Sequence, residues 1–562
     1  MNETVSITLD TGLSFTDLVR VARGARLVLA PAAWQRVRDA RAVIERALAL
    51  RIPTYGLNTG LGSLKKYIIE DERINEFNAD IVRAHAVSVS ERRLCTQEVR
   101  AVIAARVSGL VQGGSGVRTE LVELLIALLN HGVHPVVYAE NASMGEGDLS
   151  QLAQIGLVVM GEGRAEISGE ELSGSEALSR AGLEPLALGA KEGLGLISSS
   201  ACTIGLGALA LSDALELLDG FDISAALSLE GYAANLGTLD AAAITARPLP
   251  GQHTRGKHLR ALLTGSALWA SPRTLQDPLS FRCVAQVHGA CEDALRYAIS
   301  QLEAMLAART DSPMVVTGED YLVVSGNFDA TSLALAFDTT RLALHRVMVM
   351  SSQRSNKLLW SDFTGLPTAL AEERNARRGM TFNTISRALA TLVAKAYSYC
   401  TPSSLSYTPQ VTEGSDDYAS MAPLALQQLG KLMRAMRSAL AIELLYAAHA
   451  IELRSMLSVS STASNDSRLK LSPALQRVFE WIMDRAHIFD DHARLSEFFA
   501  GIDLESLLDL TRDAVSSEAV RSAFAPVAKG TLGMRFESGL EDTEHAEPDN
   551  AVLEGLEPNV LS

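Results

Sequence analysis

The feature that most constrains this chain is a set of long, alanine-rich apolar stripes. Leu429, Leu432, Met436, Leu440, Leu444, Ala447 and Ile451 recur at three- and four-residue steps, as do Val284, Val287, Cys291, Leu295, Ala298, Leu302 and Met305. That is the period of a helix with a buried face. Two more such segments run from Leu333 to about Met350 and from about Ala201 to Leu218. Helices this long need partners to cover their stripes, and the abundant Ala lets their axes approach closely, which predicts a bundle. Strand signals are short: VSITL at 5–9, and MVVTGEDYLVVSG at 314–326, where Gly318-Glu319-Asp320 reads as a hairpin turn. The expected fold class is mainly α, with a long central helix bundle and a few small ribbons.

At 562 residues the chain is long for one core. We expect a helix-poor, loop-rich region over 1–200, a helical bundle over 201–536, and an acidic, disordered tail over 537–562. The formal net charge is −16, and after Arg535 no Lys or Arg appears while eight carboxylates do. Such a tail serves solubility. Hydrophobic residues at 47% and charged residues at 21% supply a sizeable core. An acidic chain without a Lys/Arg stripe argues against a nucleic-acid partner. Cys95, Cys202, Cys283, Cys291 and Cys400 are too scattered for a disulfide framework or a CxxC zinc site. The stretch MNETVSITLDTG lacks the pattern of a signal peptide, and no uninterrupted apolar run reaches membrane-spanning length. The expectation is a soluble cytoplasmic protein with no membrane partner.

Polar residues stand out in the loops, each with an ordinary explanation. TYGLNTGLG at 54–62 lacks the spacing of a phosphate-binding loop and by itself reads as a surface turn. His85 follows an apolar helix-like run and reads as a satisfied core histidine. Gln276 and Arg282 flank a proline break in LQDPLSFRC; such an Arg is a planar carboxylate clamp or a structural ion pair. Asp416 and Asp417 precede a helix and read as caps. His487 and His492 around Asp490-Asp491, and His131 near His134, give no convincing metal ligand set, so no metal is expected.

The ordered set changes the reading. TYGLNTGLG, GGSGVRTELVELLIALLNHGVHPVV, GEGDLSQLAQIG, LSGSEALSRAGLEPLALGAKEGLGL, QDPLSFRCVAQVHGAC and SGNFDA together resemble the histidine and phenylalanine ammonia-lyase superfamily, which includes aromatic aminomutases. The resemblance runs from about residue 15 to 525. It implies a mostly helical protomer, a homotetramer with aligned bundle helices, and active sites that each draw on three chains. In that family an Ala-Ser-Gly tripeptide cyclises to a methylidene-imidazolone electrophile that captures the substrate amine.

Here Gly145-Glu146-Gly147 occupies the tripeptide positions. The family's Ser supplies the methylidene carbon by losing water, and Glu146 has no β-hydroxyl to lose. No cofactor is therefore expected. Ser198 stands where the family keeps an Asn beside that group, Leu279 replaces a Tyr, and Asp416 replaces a Glu or Gln. Tyr55 matches the family's proton-transfer tyrosine and Arg282 its carboxylate-binding arginine. Gln276, Asn327 and Phe328 match pocket-lining positions, and His85 matches a substrate-reading His of histidine ammonia-lyases.

Losing an amine across Cα–Cβ without the electrophile calls for a group that leaves unaided, such as a trimethylammonium; the superfamily member ergothionase eliminates trimethylamine in this way. The resemblance thus implies cofactor-independent elimination from a histidine-like or aromatic amino acid derivative. Tyr55, Glu146 and Asp416 are the candidate catalytic groups. His85, Ser198, Gln276, Arg282, Asn327 and Phe328 are the candidate substrate-binding ones. A tyrosine serves as acid or base when positive charge or hydrogen bonding brings it down from about 10. Glu146 reads equally as a cation-binding group and as a helix N-terminal charge beside Asp148. The alternatives are a different acid–base reaction, such as an isomerisation or cyclisation, and a non-catalytic paralogue.

Overall fold

The computed structural model describes residues 5–139, 147–377, 381–408, 410–460, 470–486 and 492–515, which pack as one compact unit. The tail 537–562 lies outside them. Before residue 200 come α1 (Phe15–Ala22), α2 (Pro31–Ala49), α3 (Ile74–His85), α4 (Thr96–Leu110), α5 (Thr119–His131), α6 (Leu149–Val159), α7 (Gly174–Arg180) and α8 (Glu192–Ile197). The expectation of a helix-poor first part is therefore corrected. Its helices hide charged residues on inward faces, which blurs the sequence period. Arg100 and Arg106 of α4 are buried, Arg100 donating from Nε to the Val21 carbonyl (3.0 Å) and Arg106 pairing with buried Asp311 (3.2 Å).

Next come α9 (Ala201–Tyr232), α10 (Ala241–Thr245), α11 (Pro250–Leu262), α12 (Leu279–Arg282), α13 (Val284–Leu306) and α14 (Thr331–Leu358). They are followed by α15 (Ser361–Thr364), α16 (Glu373–Ala376), α17 (Asn383–Ser398) and the 39-residue α18 (Ala422–Ser460). The four long stripes read in the sequence are α9, α13, α14 and α18. Their shared core holds the buried side chains of Leu295, Phe337, Leu344, Leu440 and Leu444. α9 is apolar nearly all round because it is enclosed on all sides. Its Gly205 lies where a Cβ would come within 2.7 Å of the α4 backbone, and Gly231 where one would come within 2.9 Å of the Ala447 carbonyl of α18. The helix stops at Ala233, which is left-handed (φ 59°).

A fully buried ion pair crosses the bundle. Arg354 of α14 and Glu443 of α18, both fully buried, meet at 2.5 Å, and Ser224 and Ser228 of α9 each donate to the carboxylate at 2.9 Å. The serines satisfy lone pairs that the arginine leaves open, which makes the buried pair tolerable. The segment Glu192–Tyr232 is long and apolar enough to cross a membrane by length and composition alone. It is not an uninterrupted apolar run, since Asp213, Glu216, Asp219, Asp222 and Glu230 fall within it. The segment is a core element, since 78% of its most apolar window is buried inside the protein.

The ribbons are small. β1 (Ser6–Leu9), expected from VSITL, pairs in parallel with β2 (Arg26–Leu29), Ile7 opposite Leu27. β3 (Val133–Pro135), β4 (Arg164–Ile167) and β5 (Glu170–Ser173) form an antiparallel sheet that the sequence reading missed. β6 (Met314–Val316) and β7 (Tyr321–Val323) form the expected antiparallel hairpin, with Asp320 at φ 55° in the turn.

Candidate active site

The start of α9 brings together Ser198 and the segment that carries Phe328. Asp148 precedes α6 and is 1% exposed, yet its carboxylate serves another helix. It accepts from Thr203 N–H (2.7 Å) and Thr203 Oγ1 (3.0 Å), in the first turn of α9. A buried carboxylate there meets the unpaired N–H groups and positive end of a 32-residue helix. The Asp148 N–H donates to the Ser199 carbonyl (2.8 Å), so the 147–148 turn is stitched to the 198–200 turn. Ser198 caps the end of α8, and Ser200 Oγ donates to the Phe328 carbonyl (3.1 Å). Asn327 is exposed and donates from its side chain to the Arg309 carbonyl (3.2 Å). Gly145 and Glu146 lie outside the described residues.

Tyr55 approaches from a loop that is anything but a surface turn. Thr54, Gly56, Leu57, Asn58, Thr59 and Gly60 are all buried, and Tyr55 alone among them is exposed, by 36%. Leu57 plugs a small cluster with Val43, Ile44 and Ala47 of α2, and Asn58 Oδ1 accepts from Thr54 N–H (2.7 Å). A Cβ on Gly56 would overlap Leu194 of α8 at 2.4 Å, so the loop rests on the helix that ends at Ser198. The Gly62 N–H donates to the Tyr55 hydroxyl oxygen (2.9 Å). Gly62 has φ 54°, and a Cβ there would sit 2.6 Å from Thr412 Cγ2.

That contact brings in Asp416. The Thr412 hydroxyl donates to the Asp416 carboxylate, and the backbones of Val411 and Asp416 pair. Tyr418 Oη lies 2.7 Å from Thr331 Oγ1 at the start of α14. Asp416 does not cap a helix, since its carboxylate is taken by Thr412 and α18 begins only at Ala422. The loop residues Tyr55, Gly62, Thr412 and Asp416 thus form one connected unit, pinned to the segment that carries Phe328. Sequence reasoning missed Asp148, Thr412 and Tyr418. Only Asp148 carried a signal, as an acidic residue directly before an apolar helical run.

His85 ends α3, which packs on α6 and α8: the Gly193 N–H donates to Asn78 Oδ1 (2.9 Å). His85 is half-buried, not a core residue, and its Nδ1 lies 2.7 Å from the Ile81 carbonyl. An Nδ1–H donated to that carbonyl leaves Nε2 as an acceptor.

Gln276 and Arg282 lie elsewhere. With the Gln276 amide oxygen facing the guanidinium, it accepts from Arg282 Nη2 (2.9 Å) and Nη1 (3.0 Å). Among the described residues no carboxylate pairs with Arg282, so its charge is oriented by a neutral amide and left uncompensated. Arg354, near the end of α14, donates to the Ser280 carbonyl (3.3 Å), and Tyr232, the last residue of α9, stacks on Phe281 with centroids 4.3 Å apart. Phe328 and Ser200 sit at the opposite ends of those same helices. At about 1.5 Å per residue, α14 and α9 each place the Arg282 segment roughly 35–45 Å from the Tyr55 unit within one chain.

A cavity of about 400 Å³ lies beside Asp148, lined among others by Gln151, Cys202, Thr203, Lys431 and Arg434. None of the sequence-predicted site residues lines it. Another charged cluster lies on α9, α11 and α13. Asp222 is held by His258 Nδ1 and His288 Nδ1 (2.6 Å each) and by Arg255 (3.1 Å). Asp219, Asp222 and His258 are close enough to share a metal ion, but the Arg255 guanidinium already bridges Asp219 and Asp222. That ion pair supplies the charge a cation would.

Comparison with known proteins agrees with this mainly helical fold. The family model for aromatic amino acid lyases matches residues 13–482. A histidine ammonia-lyase from Symbiobacterium thermophilum is 33% identical over 525 residues, spanning 93% of this chain and 99% of that protein. The structure of ergothionase from Treponema denticola, an ergothioneine-degrading enzyme solved with desmethyl-ergothioneine sulfonic acid, superposes with a TM-score of 0.82 at 28% identity, over 91% of this chain and 100% of that one. Histidine ammonia-lyase from Trypanosoma cruzi superposes with a TM-score of 0.79 at 26% identity, over 94% and 100%.

Proposed function

This chain belongs to the aromatic amino acid lyase family, and from that premise we propose that it eliminates an amine from a histidine-like or aromatic amino acid derivative by proton transfer alone. The observation that carries the reading is Arg282, a half-buried cation aimed by a neutral amide and left without a carboxylate among the described residues. Such a group is suited to a substrate carboxylate.

The family's self-processed electrophile does not fit the residues present. Gly145-Glu146-Gly147 offers no β-hydroxyl to lose, so no step is routed through that group. In the proposed reaction Tyr55 receives the β-proton. The C–H electron pair becomes the Cα–Cβ double bond, and the C–N pair departs with the nitrogen, leaving an acrylate. A quaternary ammonium leaves as a neutral amine and needs no further activation. Asp416 and Glu146 serve the cationic end and the proton balance, and His85 offers Nε2 to the ring. In the same reading Ser198, Asn327 and Phe328 contact the substrate.

The reading requires more than one copy of the chain, because Arg282 cannot reach its own Tyr55. A homotetramer, as in the resemblance, would bring one copy's Arg282 segment to another copy's α9 start. Leu335 and Leu342, about half exposed and two turns apart on α14, are apolar surface for such an assembly to cover.

The test is to incubate the protein with the free and the betaine forms of histidine and tyrosine and follow acrylate absorbance. We expect a rise with at least one betaine, and a fall in rate of about 10²- to 10⁴-fold in Tyr55→Phe. Silence on every compound, with Tyr55→Phe indistinguishable from the parent, would remove the reading.

A further inference from the structure

The segment that carries Arg282 is anchored from beneath and bare on top. Asp277 is buried, and its carboxylate accepts from Asn235 N–H (2.6 Å) and from the Thr274 hydroxyl. Phe281 is buried against Tyr232, and the Ser280 carbonyl is held by Arg354. These anchors take up 277, 280 and 281. Positions 276, 279 and 282 turn the other way, as the contact of Gln276 with Arg282 requires. Leu279 is 66% exposed and one helical turn before Arg282. Residues three apart on a helix are surface neighbours, about 5–6 Å between Cβ atoms. The ledge therefore presents an amide, an isobutyl group and a guanidinium in a row.

We propose that Leu279 determines specificity by selecting N-methylated substrates over primary amines. The proposal rests on reading Arg282 as the carboxylate clamp. With the carboxylate on Arg282, the substituents of the neighbouring carbon lie within reach of Leu279. An ammonium N–H turned toward Leu279, away from the Asp416 and Glu146 carboxylates, meets a side chain that accepts none, and losing its water there is unfavourable. A quaternary ammonium has no N–H to satisfy, and its methyl groups meet the isobutyl group as apolar surface. A hydroxyl at this position would reverse the preference, by offering an acceptor to the amine and a desolvated dipole to the methyls.

The experiment is calorimetric titration of the assembled full chain with histidine and with its N-trimethylated form. The proteins compared are the parent, Leu279→Tyr, Leu279→Ser and Arg282→Met. The parent is expected to bind the trimethylated form about tenfold more tightly. Either hydroxyl-bearing variant should bring that ratio to about one or below, while Arg282→Met weakens both ligands by about tenfold or more. If Arg282→Met weakens both but the ratio stays unchanged in both Leu279 variants, the clamp stands and the role of Leu279 is overturned. If neither form binds the parent, or Arg282→Met changes nothing, the clamp fails and the Leu279 proposal fails with it.

Discussion

Replacing Asp148 tests whether the candidate site is built on the start of α9. Its carboxylate is 1% exposed and accepts two hydrogen bonds from Thr203, which is itself 3% exposed. In Asp148→Ala the Thr203 N–H keeps its burial and loses its acceptor, an unsatisfied donor worth about 1–3 kcal/mol. The lost cap and the lost charge at the helix N-terminus add about 1–2 kcal/mol. Together they predict a destabilisation of about 2–5 kcal/mol. Asp148→Asn keeps one acceptor and gives up only the charge, for about 1–2 kcal/mol. Thr203→Val removes the hydroxyl donor alone. Combined with Asp148→Ala it should cost at least about 1 kcal/mol less than the sum of the two single changes. The assay is urea unfolding followed by helical circular dichroism, at one protein concentration because assembly shifts apparent stability. A loss below about 0.5 kcal/mol in Asp148→Ala, or additive behaviour with Thr203→Val, would refute the reasoning.

Burial pushes the Glu230 carboxyl up from 4.5 to about 7. The folded state thus holds this proton more tightly than the unfolded chain does, and the associated stability is complete below about pH 4.5 and lost as pH rises to 7. Glu230→Gln should abolish that loss, roughly 3 kcal/mol, so stability curves of variant and parent converge at pH 4.5 and separate at pH 8; parallel curves would contradict this. Gly62→Ala places a Cβ 2.6 Å from Thr412 Cγ2 in a left-handed backbone. It should lower turnover by about tenfold or more through Tyr55, with helix content unchanged; unaltered kinetics would separate Tyr55 from the Thr412–Asp416 unit. Arg354→Met strands Glu443 in the bundle and should destabilise by about 3–5 kcal/mol, while pairing it with Glu443→Leu should recover much of that; unfolding curves that show no recovery would point to a packing defect instead.

The four long bundle helices were legible because their apolar steps run for many turns without interruption, as from Leu429 to Ile451 in α18. The early helices were harder to read because buried charges such as Arg100 and Arg106 interrupt theirs. TYGLNTGLG looked like a surface turn because its glycines carry no apolar pattern. Its burial comes from Leu57 inserting beside α2 and Gly56 resting on Leu194, contacts far apart in the chain. Motif resemblance pointed to Tyr55, Ser198, Arg282 and Phe328 as candidates, but not to the Thr412 and Tyr418 hydroxyls, which bond to Asp416 and Thr331, since single hydrogen bonds leave no local pattern. Nor does the sequence tell that Arg282 and Tyr55 sit at opposite ends of the same bundle. That separation appears only when α9 and α14 are laid out as rods.

Under the proposed function no electrophile forms from Gly145-Glu146-Gly147, and any turnover proceeds by proton transfer. Intact-mass measurement of the purified chain, followed by mapping of the peptide that contains these residues, tests it most directly. The account predicts the unmodified mass in a preparation that still turns over substrate. A deficit corresponding to lost water, located at 145–147, would contradict it.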